Sequence, residues 1–363
     1  MSGRPAGGRT HGHRAAEAAV RRWVRDQRPP HALVISGPAQ VGKTTLALDL
    51  ARGLLCTDGA EAARPCGSCA ACRRVDHGNH PDLHLVTPEG AGGQIRLAAV
   101  QALVADLALK PMEGRWRVAL IEQAHRLNPD AQNALLKTLE EPVGAAVIIL
   151  AADDLSALLP TVVSRAARLR LGPVAQAALV RILAERDLSD PSRAAEIGRL
   201  AGGRPGAALT LASQPETMMA IDRLARSLLD LAAVSRRRRL AAVSGLLSDA
   251  ATVDEPSASG ASRARSTPAE RRRSVIRVLS TWREVARDLC VVARGGAAQV
   301  RHLALLEDLQ ALGPHVDYRA LVAFLGRLDG HIAAIEGYAN PELTLDVLVL
   351  SWPSTDGAAR AAA

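Results

Sequence analysis

A glycine-rich loop near the start of the chain limits the possible folds more than any other feature. Residues 37–44 read GPAQVGKT and match the phosphate-loop pattern GxxxxGK[ST]. The apolar segment 31–36 before the loop is typical of a buried strand, and 45–55 after it is typical of an amphipathic helix. A strand, such a loop and a helix, in that order, predict a phosphate-binding unit on a parallel α/β sheet.

Each residue type in this loop suits contact with a nucleotide. Gly37 and Gly42 allow backbone N–H groups to turn toward phosphate oxygens, Lys43 reaches the β- and γ-phosphates, and the Thr44 hydroxyl can ligate Mg²⁺. We therefore predict that these four residues and Thr45 bind ATP and Mg²⁺. The alternative interpretation is a glycine-rich turn without a ligand. A chance match is rare here, because only 3 of the 45 basic residues are lysines.

Four cysteines follow the loop with a spacing that suits a metal. Cys56, Cys66, Cys69 and Cys72 have the spacing C-x9-C-x2-C-x2-C. Four thiolates match the tetrahedral coordination of Zn²⁺, and a site closed by four protein ligands has no open position for substrate, so we predict structural zinc. The alternative is a set of cysteines without metal. Cys290 lies in an apolar helical pattern and is expected in a core.

The remaining pattern predicts three regions. Strands alternate with helices up to residue 173, which indicates a parallel sheet flanked by helices in residues 1–173, with the cysteine module inserted at 56–72. Residues 174–213 fit a small helical lid, and 214–353 fit an all-α domain. A stretch rich in Ser, Ala, Pro and Arg at 253–270 and the tail 354–363 are expected to be disordered.

Charge and hydropathy limit the surroundings of the chain. The formal net charge of +8 suits a polyanionic partner such as DNA, and it equally suits basic residues spread over solvated faces. The longest apolar run, at 143–152, is too short to span a bilayer, and no signal peptide is recognisable. We therefore expect a cytoplasmic protein with no membrane contact.

The positions around the phosphate loop predict nucleotide binding without fast hydrolysis. The predicted strand 116–122 ends at Glu122, where a metal-coordinating acid is expected, and this is a weak form of that second acidic motif. Gln123 takes the place of a water-activating glutamate, and an amide cannot accept a proton. Ala151 and Ala152 occupy the tip of the next strand, and Gly206 lies where a lid arginine would touch nucleotide.

The order of these motifs resembles a known family. HALVISGPAQVGKTT, the four cysteines, GNHPDLH, VALIEQAHRLNPDAQNALLKTLEEP and LLPTVVSRA follow one another, and NPDAQNALLKTLEEP is the most specific of them. Together they resemble the clamp-loader subunits of bacterial DNA polymerase III, within the AAA+ ATPases. The resemblance is strong over 31–173 and weak over the C-terminal helices, where NPELTLDVLVL is similar to the end of the family's collar domain. It implies an AAA+ P-loop domain, a lid and a helical collar.

Within that family, Gln123, Ala152 and Gly206 favour the non-motor, delta-prime branch over the ATP-hydrolysing gamma/tau branch. From spacing alone, Arg165 is either a surface arginine or an arginine that contacts a neighbour's phosphate. The resemblance implies the second, an arginine finger that completes a neighbour's ATP site. Ala166 replaces the family's cysteine after that arginine. The resemblance also implies partners: gamma/tau and delta subunits in a hetero-pentamer, and through them the sliding clamp and primed DNA.

Overall fold

The computed structural model describes residues 9–58, 64–88, 93–141, 144–254, 267–336 and 339–353. The chain divides into two compact units. Unit 1 comprises residues 1–186 and 203–208, and unit 2 comprises 187–202 and 209–363. Each unit has its own apolar core. No helix of the described residues combines the length and the apolar character that crossing a bilayer requires.

Unit 1 is built on a five-stranded parallel sheet. The order across the sheet is β2-β3-β4-β1-β5. Since all neighbours run in the same direction, the carboxyl ends of β1, β3 and β4 meet at one edge, and ligands of such sheets bind at that edge. The strands are β1 (Ala32–Ser36), β2 (Leu83–Val86), β3 (Arg117–Ile121), β4 (Ala146–Ala152) and β5 (Ala167–Arg170).

Helices cover both faces of this sheet. The strands β1, β3 and β4 are buried along their whole length, because alternate side chains enter apolar layers on opposite faces. Leu33 and Ile35 pack with α1 and α2 on one face, while Ala32 and Val34 pack with α4 and α5 on the other. The helices are α1 (Arg14–Arg25), α2 (Lys43–Leu55), α3 (Ala70–Asp76), α4 (Leu97–Leu107), α5 (Pro129–Glu140), α6 (Pro160–Ser164) and α7 (Gln176–Glu185).

This arrangement confirms the predicted parallel α/β sheet with flanking helices and a phosphate loop after β1, with differences at element ends. The sequence pattern predicts a helix over 155–165, but the structure has only α6 there, since Pro160 occupies its first turn and the preceding residues form a turn. The pattern also predicts a strand over 167–173, and the observed strand β5 ends at Arg170. Both corrections concern boundaries, which periodicity defines poorly.

Helices make up the regular structure of the described part of unit 2. Its centre is an aromatic cluster in which the rings of Trp282, Phe324 and Trp352 lie with centroids 4.8–5.2 Å apart. The helices are α8 (Pro191–Leu200), the part of α9 (Pro205–Ser213) from residue 209, α10 (Pro215–Asp230), α11 (Arg236–Asp254), α12 (Pro268–Val292), α13 (Leu306–Leu312), α14 (Tyr318–Glu336) and α15 (Pro341–Ser351).

The structure contradicts the two ends of the predicted disordered loop 253–270. α11 continues to Asp254, and α12 begins at Pro268 with a capping box between Thr267 and Glu270. The expectation of disorder at residues 253–254 and 268–270 is therefore wrong. Residues 255–266 and the predicted tail 354–363 lie outside the described residues.

Candidate nucleotide and metal sites

The phosphate loop follows β1 and leads directly into α2, as its sequence predicts. Gly37 has φ of +150°, and a Cβ there would lie 2.2 Å from the carbonyl oxygen of Leu171. Gly42 has φ of +110° and caps the N-terminus of α2. Both conformations suit glycine. Thr44 and Thr45 lie in the first turn of α2, where free backbone N–H groups and the helix dipole favour anions.

Lys43 is buried, with 8% of its side chain exposed, and it is held by three oxygens of the protein itself. Its ammonium group donates to the carbonyl oxygens of Gly37 at 2.8 Å and Pro38 at 2.7 Å. It also forms an ion pair with Asp153, with Nζ 2.6 Å from Oδ1. The lysine is therefore in the position expected of a phosphate ligand, and a carboxylate contacts it.

Asp153 is a site residue that sequence reasoning missed. β4 extends through Ala152, whose carbonyl accepts from the Gly37 N–H at 3.3 Å, so the first side chain beyond the strand tip belongs to Asp153. Its backbone N–H donates to Nδ1 of His125 at 3.2 Å. Burial lowers the pKa of His125, although the Asp153 carboxylate acts in the opposite direction. The tip of β4 therefore does carry a polar side chain, that of Asp153, one residue after the alanines that the sequence analysis placed there.

The second acidic motif lies at the same sheet edge. Glu122 follows β3 directly, and its backbone N–H donates to the carbonyl of Val86 at 2.9 Å. Burial raises the pKa of the Glu122 carboxyl. Gln123 adopts a left-handed conformation with φ of +49° and begins the turn that leads to His125. The edge thus holds a carboxylate at Glu122 and an amide beside it.

Gly206 lies against the phosphate loop within unit 1. Its N–H donates to the carbonyl oxygen of Gln40 at 2.9 Å. A Cβ at Gly206 would meet the same oxygen at 3.0 Å and the Gln40 Cβ at 3.1 Å. A side chain at this position would therefore press on Gln40, which would have to shift by a few tenths of an ångström.

Arg165 caps the C-terminus of α6 and is 36% exposed. Its guanidinium donates to the carbonyl oxygen of Thr161 at 3.0 Å and pairs with Glu140 at 2.6 Å. Glu140 is itself 49% exposed, so the pair lies at the surface of the unit. An exposed ion pair of this kind contributes at most about 1 kcal/mol and can exchange for another anion.

The structure brings the four spaced cysteines together. The Sγ atoms of Cys56, Cys66, Cys69 and Cys72 all lie within 4.8 Å of one another, and Cys56 and Cys69 are 3.9 Å apart. A tetrahedral ion with Zn–S bonds of roughly 2.3 Å separates its ligands by roughly 3.8 Å. Among the described residues, these four cysteines form a group whose geometry suits a metal ion.

Local structure explains how these cysteines converge. Cys56 follows α2 immediately, Cys69 caps α3, and Cys72 lies in the first turn of α3. The N–H of Cys69 donates to Sγ of Cys66 at 3.3 Å, and the N–H of Cys72 donates to Sγ of Cys69 at 3.4 Å. Backbone donors of this kind favour thiolate.

The thiol pKa values differ with their surroundings. Burial tends to raise the pKa of Cys69, but N–H donors from Cys72 and Thr57 outweigh it and lower the pKa to about 6. Burial raises the pKa of Cys56 and of Cys72. Since four neighbouring thiols cannot all ionise without a cation, the donor set and its geometry fit a divalent soft metal.

The N-terminal half of the chain is similar to known proteins. A family model described as DNA polymerase III, delta subunit, matches residues 12–175. The chain is 40% identical over 185 residues to the delta-prime subunit of DNA polymerase III from Pseudomonas aeruginosa, covering 51% of this chain and 56% of that one. Residues 12–175 are therefore similar to this clamp-loader family.

Two further similarities were found. The Haemophilus influenzae tau/gamma subunit is 37% identical over 153 residues, which cover 42% of this chain and 22% of that protein. A gamma-subunit-related protein of Thermotoga maritima aligns over 92% of this chain and 96% of its own, with 15% identity and a TM-score of 0.47. The chain spans about half the length of the delta-prime relatives that it matches.

Proposed function

We propose that this chain is a delta-prime-type subunit of a bacterial DNA polymerase III clamp loader. In this role it assembles with gamma/tau and delta subunits in a hetero-pentamer and assists the ATP-driven loading of a sliding clamp onto primed DNA. The family match over residues 12–175 carries the proposal. The helices of unit 2 would supply the collar of the assembly.

The surroundings of the phosphate loop support a non-motor role. Hydrolysis needs a group that orients and deprotonates the attacking water, and Gln123 offers an amide. Gly206 offers no guanidinium to a nucleotide, its N–H is bonded to the loop, and a Cβ there would press on Gln40. The loop itself, with Gly37, Gly42, Lys43, Thr44 and Thr45, retains what binding of ATP and Mg²⁺ requires. We therefore propose binding with weak or absent turnover.

Arg165 is the residue that would act catalytically, on a neighbour's nucleotide. The γ-phosphate of an adjacent motor subunit would replace Glu140 as the anion that the guanidinium contacts. An arginine supplied in this way stabilises charge in the transition state and contributes a factor of about 10³–10⁵ in rate. The exposure of Arg165 and its weak surface pair support this role.

The cysteine cluster would hold a structural zinc ion through Cys56, Cys66, Cys69 and Cys72. When bound, zinc supplies a four-coordinate crosslink between the end of α2 and the start of α3. We also propose the domain limits of an AAA+ domain at 1–173, a lid at 174–213 and a collar at 214–353. The two compact units of the structure divide elsewhere, after residue 186, with residues 203–208 in unit 1.

The decisive experiment is reconstitution with gamma/tau and delta subunits. We expect the full chain to co-purify with them in one complex, and Arg165→Ala to assemble normally while lowering the DNA- and clamp-stimulated ATPase rate. Arg168→Ala is the matched control, because Arg168 is an exposed arginine on the neighbouring strand β5. Failure to form the complex would refute the proposal, and an unchanged rate would refute the role of Arg165.

The alternative is an ATP-hydrolysing subunit of the gamma/tau type, which the intact loop and the similarity to tau/gamma favour. Turnover by the isolated chain separates the two. The non-motor proposal predicts little hydrolysis, with a gain in Gln123→Glu. Robust turnover that Lys43→Ala abolishes would support the alternative.

A further inference from the structure

The contacts of Lys43 bear on which nucleotide this site takes. A lysine ammonium has three N–H donors. Here the three match three acceptors: the carbonyl oxygens of Gly37 and Pro38, and Oδ1 of Asp153. A nucleotide phosphate can contact Lys43 only if one of these acceptors gives way.

Asp153 is the acceptor that lies on the side of the terminal phosphate. The two carbonyl groups belong to the loop itself, whereas Asp153 comes from the tip of β4, beside β1 in the sheet. In phosphate loops the N–H groups and the start of the helix hold the inner phosphates, and the lysine extends toward the outer ones. The Asp153 carboxylate therefore lies where the γ-phosphate of a triphosphate would meet Lys43.

The peptide group that precedes this carboxylate is held on both sides. Ala152 pairs with Ser36 in the sheet register, and its carbonyl accepts from the N–H of Gly37. The backbone N–H of Asp153 donates to His125, which lies at the same edge, and His125 Nε2 is 3.9 Å from the second carboxylate oxygen. The backbone of Asp153 is thus fixed on both sides.

We propose that Asp153 sets the nucleotide preference of this site, so that it takes a nucleoside diphosphate in preference to the triphosphate. The proposal rests on the proposed function, because it assumes that the phosphate loop binds nucleotide. A γ-phosphate would bring two or more negative charges against a carboxylate and would compete with it for one lysine. A diphosphate ends before that position and leaves the Lys43–Asp153 pair in place.

The test is a titration of the full-length chain with fluorescent ADP and ATP analogues in the presence of Mg²⁺. We expect the unmodified chain to bind ADP more tightly than ATP, by about fivefold or more. Asp153→Asn should tighten ATP binding by about tenfold and change ADP binding by less than about threefold, since it removes one charge near the γ-phosphate alone.

Asp154→Asn is the matched control. It removes the same charge one residue away, where the carboxylate is exposed and accepts from the N–H and hydroxyl of Ser156. We expect no change in the ratio of ATP to ADP affinity. Circular dichroism and thermal melting of each variant check that its fold is intact.

The outcomes distinguish the proposed preference for a diphosphate from nucleotide binding by the phosphate loop. Equal affinity for ADP and ATP in the unmodified chain, or an unchanged ratio in Asp153→Asn, overturns the preference while leaving nucleotide binding in place. No binding of either nucleotide by folded unmodified chain and folded Asp153→Asn refutes nucleotide binding itself. Binding of ATP only after the substitution supports the proposal in its strongest form.

Discussion

Replacing Asp288 with asparagine should destabilise unit 2 strongly. Asp288 lies on α12 with its carboxylate fully buried. It accepts from the backbone N–H groups of Arg301 and His302, from the His302 ring at 3.0 Å and from the Arg287 guanidinium at 2.7 Å. One side chain therefore fixes the segment that follows α12.

The magnitude follows from this set of donors. A hydrogen bond to a charged group contributes about 1.5–3 kcal/mol, and leaving a buried donor unsatisfied is costly. Asparagine retains one acceptor oxygen but turns an NH₂ group toward donors, so at least two bonds are lost. We expect a loss of roughly 3–5 kcal/mol in the free energy of unfolding. For a domain of this size, that lowers Tm by roughly 6–20 °C.

The pH dependence has a defined sign. Burial acts to raise the pKa of Asp288, but the hydrogen bonds from His302 and Arg301 outweigh it, so the pKa is lowered overall. A lowered pKa in the folded state gives stability that is fully present above the unfolded value of about 3.9 and is lost as pH falls through the folded value. Asp288→Asn should therefore flatten the acid limb of the stability curve below about pH 4.

The assay combines calorimetry with hydrogen exchange, which assigns the change to α12. Asp329→Asn is the matched control. Asp329 lies on α14 and pairs at 3.1 Å with Arg283 of α12, the helix that carries Asp288, and both side chains are exposed. We expect a cost below about 1 kcal/mol for it. Equal Tm changes in the two variants would refute the reasoning from burial.

Two further predictions concern the N-terminal unit. The purified chain should contain one zinc ion, which Cys69→Ser should remove. Cys290→Ser is the control and should keep the zinc, because Cys290 lies on α12 outside the cluster. A zinc content near zero in the unmodified chain, measured by elemental analysis, would contradict this. Gly37→Ala should abolish nucleotide binding and cost about 1–3 kcal/mol in stability, because its Cβ would lie 2.2 Å from the Leu171 oxygen. Gly114→Ala, which has open space around its Cβ, is its control; nucleotide titration and thermal melting measure both, and equal behaviour would count against the steric argument.

Local sequence predicted most of unit 1. The strands β1, β3 and β4 are short apolar runs, and α5 has Asn128 as a cap and a proline in its first turn. The four cysteines were predicted as one metal site, and the structure brings them together. These features depend on neighbours close in the chain, which is why pattern reasoning found them.

Other features of the candidate site depend on residues far apart in sequence. The sequence showed that Gly206 stands where a lid arginine is expected. Its contact with the Gln40 carbonyl is visible only in the tertiary structure. The pairing of Arg165 with Glu140 likewise joins two elements that no periodicity relates. Asp153 was missed because the prediction assigned the nucleotide-facing position to Ala151 and Ala152, whereas the first side chain beyond β4 is that of Asp153.

The sequence by itself determined the chemistry available to this chain: a phosphate loop, four thiols and an amide at Gln123 in place of a glutamate. Residue types and short spacings carry that information, because loops and metal knuckles form from neighbours in the chain. Only the tertiary structure decided what contacts Lys43. The ion pair with Asp153 exists because parallel pairing of β1 with β4 brings residues 110 positions apart to one edge of the sheet.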